Sequence, residues 1–165
     1  MTTFNTPAAI AAELRIAIGT VRIVAGDRTD TVVDVRPSDP AKSADVKAAA
    51  AVSVSYSDVL TVASPKSRGI RTPGSVQVEI ALPRGSRING ELALGRFGTE
   101  GALNDVAVHV SDGTLTVDHA TAARLDAGRG DIALRHAAGS ATLTTGTGNI
   151  ELGVGDGVTV TAHTG

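Results

Sequence analysis

Alternation of apolar and polar residues dominates the first half of the chain. Leu14, Ile16 and Ile18, then Val21 and Ile23, then Val33 and Val35 set every second side chain on one face, the period of a half-buried β-strand. Gly19-Thr20 and Gly26-Asp27 stand between these runs, where turns are expected. Ser38-Asp39-Pro40 followed by AKSADVKAAAA reads as an N-cap, a proline at the first helical position and a short alanine-rich helix. Alternation returns at Val52, Val54 and Tyr56, and at Val59 with Leu60 or Val62, about a tight turn at Ser57-Asp58. A basic loop from Ser64 to Pro73, with Pro65, Lys66, Arg68 and Arg71, precedes a strand at Val76, Val78 and Ile80 that ends at Leu82-Pro83.

From Gly85 onward the chain is self-similar. Written under one another, VHVSDGTLTV, LDAGRGDIAL and LTTGTGNIEL bring Gly113, Gly130 and Gly148 into line. VTAHTG begins a fourth copy at Gly165, and LALGRFGTEG is an earlier, degraded one at Gly95. Successive glycines lie 18, 17, 18 and 17 residues apart. One alternating pair precedes each glycine: Val108 and Val110, Leu125 and Ala127, Leu143 and Thr145, Val160 and Ala162. A second pair follows it: Leu115 and Val117, Ile132 and Leu134, Ile150 and Leu152. Two short strands about a glycine cannot close a core alone, so the units are expected to stack at the ~4.8 Å spacing of paired strands, with these pairs as inward ladders. The pairs Gly128/Gly130 and Gly146/Gly148 suit corners that need positive φ.

Composition agrees with this pattern. The chain has 165 residues, enough for one domain with a real core. Its only rings outside histidine are Phe4, Tyr56 and Phe97, whereas it has 26 Ala, 19 Val, 19 Thr and 19 Gly. An aliphatic interior too narrow for many rings explains that balance. All six prolines and all three lysines precede residue 84, and 15 of the 19 glycines follow it. Residues 1–83 are therefore read as a strand-rich segment that packs on and caps repeats in residues 84–165, the two forming separate units or one continuous domain. A net charge of -2 gives no electrostatic reason for a nucleic-acid partner. Without cysteine there is no disulfide, thiolate nucleophile or zinc ribbon. No apolar run reaches the roughly 18 residues of a membrane-spanning helix. The first residues lack a basic stretch and carry Glu13, unlike a signal peptide, so a cytoplasmic location without membrane insertion is expected and surface display is not. The fourth unit stops on its glycine, which suggests a truncated chain, or an open end that pairs with a protein partner or a second copy.

Candidate chemistry is sparse. His119 and His136 share a repeat position and are weak candidates for a metal site, but no third ligand lies at matching phase and two exposed polar residues are the simpler reading. His109 and His163 fall on the preceding strand at other offsets. Arg129-Gly130-Asp131 spells the tripeptide that integrins read, in a turn the repeat requires anyway. No Gly-x-Gly-x-x-Gly or phosphate-loop lysine follows, and the doubled glycine of calcium-binding β-rolls is missing. Asp112, Asp118, Asp126 and Asp131, with Arg124 and Arg135 nearby, are the acids a β-helical polysaccharide lyase or hydrolase would need; turn and surface roles explain them more simply. With no Gly-x-Ser-x-Gly, His-Glu-x-x-His or spaced triad, no catalytic or cofactor-binding residue is assigned, and no cofactor is expected.

The order ELRIAIGTVRIVAGDRTDTVVDVRPSDPAKSADV, then VQVEIALPRGSRI, then units such as LDAGRGDIALRHA and LTTGTGNIELG, resembles the bacterial putative-adhesin family, domains of unknown function common in actinomycetes. The resemblance covers nearly the whole chain and rests on the paired early strands, the Leu-Pro-Arg-Gly junction at Leu82 to Gly85 and the repeated Gly-x-Gly-Asp/Asn-Ile-x-Leu units. It implies an adhesin-like β-solenoid and transfers no catalytic residue. The expected fold is all-β: a right-handed β-solenoid with repeats of 17 to 18 residues behind a strand-rich cap with one short helix. The expected function is a non-enzymatic scaffold or protein-interaction module, the alternative being a carbohydrate-active β-helix enzyme. Ladder and outward positions should respond differently to charge. Ile132→Asp should cost about 3 kcal/mol or more and Thr116→Asp no more than about 1 kcal/mol, read from urea midpoints; equal midpoints would remove the inside-outside assignment.

Overall fold

The computed structural model describes residues 2–64, 74–154 and 159–164. Most of the basic loop, residues 65–73, and Gly165 lie outside them. The chain is mostly β with one helix: β1 (Thr2–Asn5), β2 (Ala11–Gly26), β3 (Asp30–Pro37), α1 (Ser43–Ala51), β4 (Ser53–Tyr56), β5 (Val59–Ala63), β6 (Val76–Pro83), β7 (Arg87–Arg129), β8 (Ile132–Thr147), β9 (Ile150–Val154) and β10 (Thr159–Thr164). The strands form one sheet in the order β1-β3-β6-β2-β7-β8-β10, with β5 also on β2, β4 on β5 and β9 on β8. This path does not close on itself among the described residues. No helix among them is long and apolar enough to cross a membrane.

A straight strand of 43 residues would run roughly 140 Å at ~3.3 Å per residue. β7 instead coils back on itself, because Gly95 and Gly113, both within it, lie in backbone contact. The next coil continues the parallel pairing: Leu115 stands opposite Ile132, Val117 opposite Leu134 and Leu125 opposite Leu143. β9 follows, with Ile150 opposite Ile132 and Leu152 opposite Leu134. At β10 the register differs from the sequence alignment, since Leu143 faces Ala162 and Ala141 faces Val160. Ala137 pairs with Val154 and Ser140 with Thr159.

Two expectations for the first half are corrected. Gly19-Thr20 is no turn: β2 runs through it, in parallel with β6 on one side and β7 on the other. Gly19 has φ +152, a conformation that bends the strand without reversing it. The helix starts later than Pro40. The Asp39 carboxylate accepts from the Ala41 N–H at 2.9 Å and the Asp39 carbonyl from the Lys42 N–H at 3.1 Å, so the proline sits inside a turn that delays the helix to Ser43. The buried Asp45 carboxylate then accepts from the N–H groups of Asp39 at 3.1 Å and Ser75 at 2.9 Å, tying α1 to the entry of β6. The change of composition near residue 84 is no break in the sheet, because Val21 faces Phe97 and Ile23 faces Thr99.

The interior is aliphatic. Leu115 and Val117 are fully buried, Ile132 and Leu134 nearly so, and Ile150 and Leu152 half-buried against the same core. Val108, Val110, Leu125, Ala127 and Leu143 are buried on the preceding strands. One ring enters this space, that of Phe97, and Gly90 makes room for it: a Cβ there would meet Phe97 Cε2 at 2.8 Å.

The coils touch at a column of glycines. A Cβ on Gly95 would collide with the carbonyl oxygen of Gly19, one on Gly113 with that of Gly95, one on Gly130 with that of Gly113, and one on Gly148 with that of Gly130. All five have positive φ, between +136 for Gly130 and +152 for Gly19. Gly128 and Gly146 differ from the expectation for them: neither has positive φ, and close approach to the coil beneath, with the Ser111 carbonyl oxygen 2.7 Å from a Cβ on Gly128, is what excludes a side chain. Gly130→Ala should therefore cost about 3 kcal/mol or more. At Gly98, where φ is not positive and a Cβ would meet nothing closer than 4.0 Å, alanine should stabilise by roughly 0.5 kcal/mol. Urea midpoints check both, and tolerance of alanine at Gly130 would contradict the column.

Candidate functional site

Parallel register sorts the outward side chains after the glycine column into rows that cross the strands. The first row runs Thr20, Arg96, Thr114, Asp131; the second Arg22, Gly98, Thr116, Ala133; the third Val24, Glu100, Asp118, Arg135. Gly98, Thr116 and Ala133 are small, so the middle row is a trough between taller walls. At one end stands Arg22, whose guanidinium donates to both oxygens of Glu100 at 3.1 and 3.2 Å and to Glu79 at 3.1 Å. Hydrogen bonding to Glu100 first and Glu79 second holds the Arg22 pKa above its ordinary value. The resulting depression has a volume of about 650 Å³.

Its charges are unequally engaged. Asp118 accepts from the Gly101 N–H at 3.1 Å and lies 3.9 Å from Arg135. Arg96 is exposed, and among the described residues no ion pair or hydrogen bond engages its guanidinium. Beneath Gly98 and Glu100 the inward Thr99 is buried, and among the described residues its Oγ1 has no hydrogen-bond partner.

The residues singled out from sequence are spread over the molecule. His119 and His136 stand in register with ring centroids 4.9 Å apart and planes tilted by 39°. Asp118 lies 3.4 Å from His119 Nδ1, and among the described residues no group of three His, Asp or Glu is placed to hold a metal ion. His109 Nδ1 is 3.0 Å from Asp126, and the backbone of His163 pairs with Thr144. Asp131, the acid of the Arg-Gly-Asp turn, accepts from the Asn149 N–H of the next coil at 2.9 Å. Asp112 is exposed beside Gly113, and Arg124 stands opposite Thr142. The four aspartates thus occupy four separate settings.

Arg22, Glu79, Arg96, Gly98 and Glu100 escape sequence reasoning because they come from three strands far apart in the chain. One signal was available: Gly19-Thr20-Val21-Arg22-Ile23 has the form of Gly113-Thr114-Leu115-Thr116-Val117, which places β2 among the repeats.

No protein-family model matches the chain, and no curated protein matches it. Among solved structures, it is similar to a "putative cell adhesion protein" from Clostridium sporogenes over 99% of this chain and 98% of that one, at 12% identity and a TM-score of 0.47. A "putative adhesin" from Bacteroides fragilis aligns over 99% and 95%, at 12% identity and a TM-score of 0.35.

Replacing the Thr99 hydroxyl by a methyl of the same shape removes an unsatisfied buried polar atom. Thr99→Val should raise stability by about 1 kcal/mol or more in urea titration; a loss would mean that the hydroxyl has a partner.

Proposed function

We propose that this chain is a non-enzymatic, adhesin-like β-solenoid of the kind its sequence resembles, its coils of 17 or 18 residues winding right-handed and its outward faces holding a partner molecule. Residues 1–83 close one end of the stack and contribute β2 as a coil of it. The observation that carries this reading is the dispersal of the carboxylates. Asp118 is spent on Gly101 N–H, Asp126 on His109 and Asp131 on Asn149 N–H, while Asp112 stands alone at a corner. Acid-base cleavage of a glycosidic bond needs two carboxyl groups facing one gap, roughly 5–9.5 Å apart, and the pair that does share the depression, Glu100 and Asp118, is held by Arg22 on one side and by Gly101 N–H and Arg135 on the other. Rigid parallel coils favour binding for a further reason, since they hold rows of side chains at fixed spacing and lose little conformational entropy when a partner settles.

Beads coated with the chain should adhere to cell-surface or matrix material, free chain should compete, and the retained material should be chemically unchanged. Failure to adhere beyond albumin-coated beads would count against the scaffold reading. So would polysaccharide cleavage by the chain that Asp118→Asn or Asp126→Asn abolishes.

A further inference from the structure

We infer that the trough floored by Gly98 and Thr116 is a binding site for a carboxylate-bearing oligosaccharide lying along the stacking direction of the coils, an inference that rests on the scaffold reading above and names its ligand. The first ground is Gly98. Glycine within a strand weakens it, and its usual reasons are a special φ or a close backbone neighbour. Gly98 has neither: its φ is not positive and a Cβ would lie 4.0 Å from the nearest atom, Thr116 O. What the missing side chain does provide is depth, in a depression of about 650 Å³, within the roughly 300–1,000 Å³ of small-molecule sites.

The second ground is spacing. The trough crosses strands, so its rows of side chains repeat at the ~4.8 Å strand separation, a step comparable to the length of one pyranose ring. An extended peptide advances ~3.3 Å per residue and falls out of step. Peptide backbone would also find no partners, because the N–H and C=O groups of a sheet interior are spent on neighbouring strands, whereas sugar hydroxyls need only side chains.

The third ground is charge. Arg22 is engaged by both Glu79 and Glu100, one cation against two carboxylates, and Asp118 is shared between Gly101 N–H and Arg135. These fixed groups present lone pairs and N–H bonds to neutral hydroxyls. Arg96 remains, an exposed guanidinium between the uncharged Thr20 and Thr114, with its planar fork free for a carboxylate.

The test uses the full chain titrated with trigalacturonate, with maltotriose as neutral comparator, followed by calorimetry and amide chemical shifts. Trigalacturonate should bind at one site at least about tenfold more tightly than maltotriose, shift the Gly98 and Thr116 amides, and weaken as salt rises. Arg96→Ala should reduce its affinity about tenfold, and Gly98→Val, which fills the trough, should abolish binding. If Gly98→Val does not fold, Gly98→Ala serves, with a smaller loss expected. The inference is overturned by no saturation up to about 10 mM, by equal affinity for the two sugars, or by variants that bind like the parent. Bead adhesion that persists unchanged in Arg96→Ala and Gly98→Val would sink this site and leave the scaffold reading standing. Saturable trigalacturonate binding by a chain whose beads never adhere would do the reverse.

Discussion

At Gly95, Gly113, Gly130 and Gly148 the backbone presses on the carbonyl of the preceding glycine in the column, and at Gly19 on the Val76 carbonyl of β6, leaving no volume for a Cβ. That contact governs much else. Positive φ accompanies it at all five positions, within strands that stay extended on either side. It also holds neighbouring strands in one register, so that residues two, four and six beyond one glycine stand beside those beyond the next. A slip of one residue would turn every ladder outward. Gly19 brings β2 into the same column, although residues 27–86, of different construction, separate β2 from β7.

Register creates an interior and a surface together. Inward positions form a narrow aliphatic stack in which Leu115, Ile132 and Leu134 are almost wholly shielded from water, and a ring is admitted only where Gly90 withdraws. Two threonines depart from this: the Thr145 hydroxyl donates to the Gly130 carbonyl at 2.9 Å, and the Thr99 hydroxyl has no partner among the described residues. Outward positions form rows, and in a row the character of the surface depends on which residue each coil supplies. Arg22 meets Glu100 because residues 22 and 98 are paired, though 78 positions of chain lie between the two side chains. The histidine pair follows from the same geometry: registry brings His119 beside His136, with ring centroids 4.9 Å apart.

Much of this was legible beforehand. Alternation in Val76, Val78 and Ile80 and the recurring glycines from Gly95 to Gly148 are local signals, since inward packing selects apolar residues at a period of two and a corner selects glycine wherever it recurs. The helix start was obscured because an Asp39-Pro40 pair serves a turn as well as a helix N-terminus, and tertiary contacts of Asp45 decided between them. Gly19-Thr20 reads as a turn in the sequence because a short window cannot distinguish a strand that ends at a glycine from one that continues through it.

By itself, then, the sequence determined that the chain is built from short alternating stretches punctuated by glycine, which sides of those stretches are apolar, and that its second half repeats. Only the tertiary structure decided which stretch lies against which, that β2 belongs among the coils, and that Arg22, Arg96, Gly98 and Glu100 share one depression. The physical reason is range: side-chain periodicity is written within a few residues of each position, whereas strand pairing is a contest among distant segments that backbone hydrogen bonding and burial resolve only when the whole chain has packed.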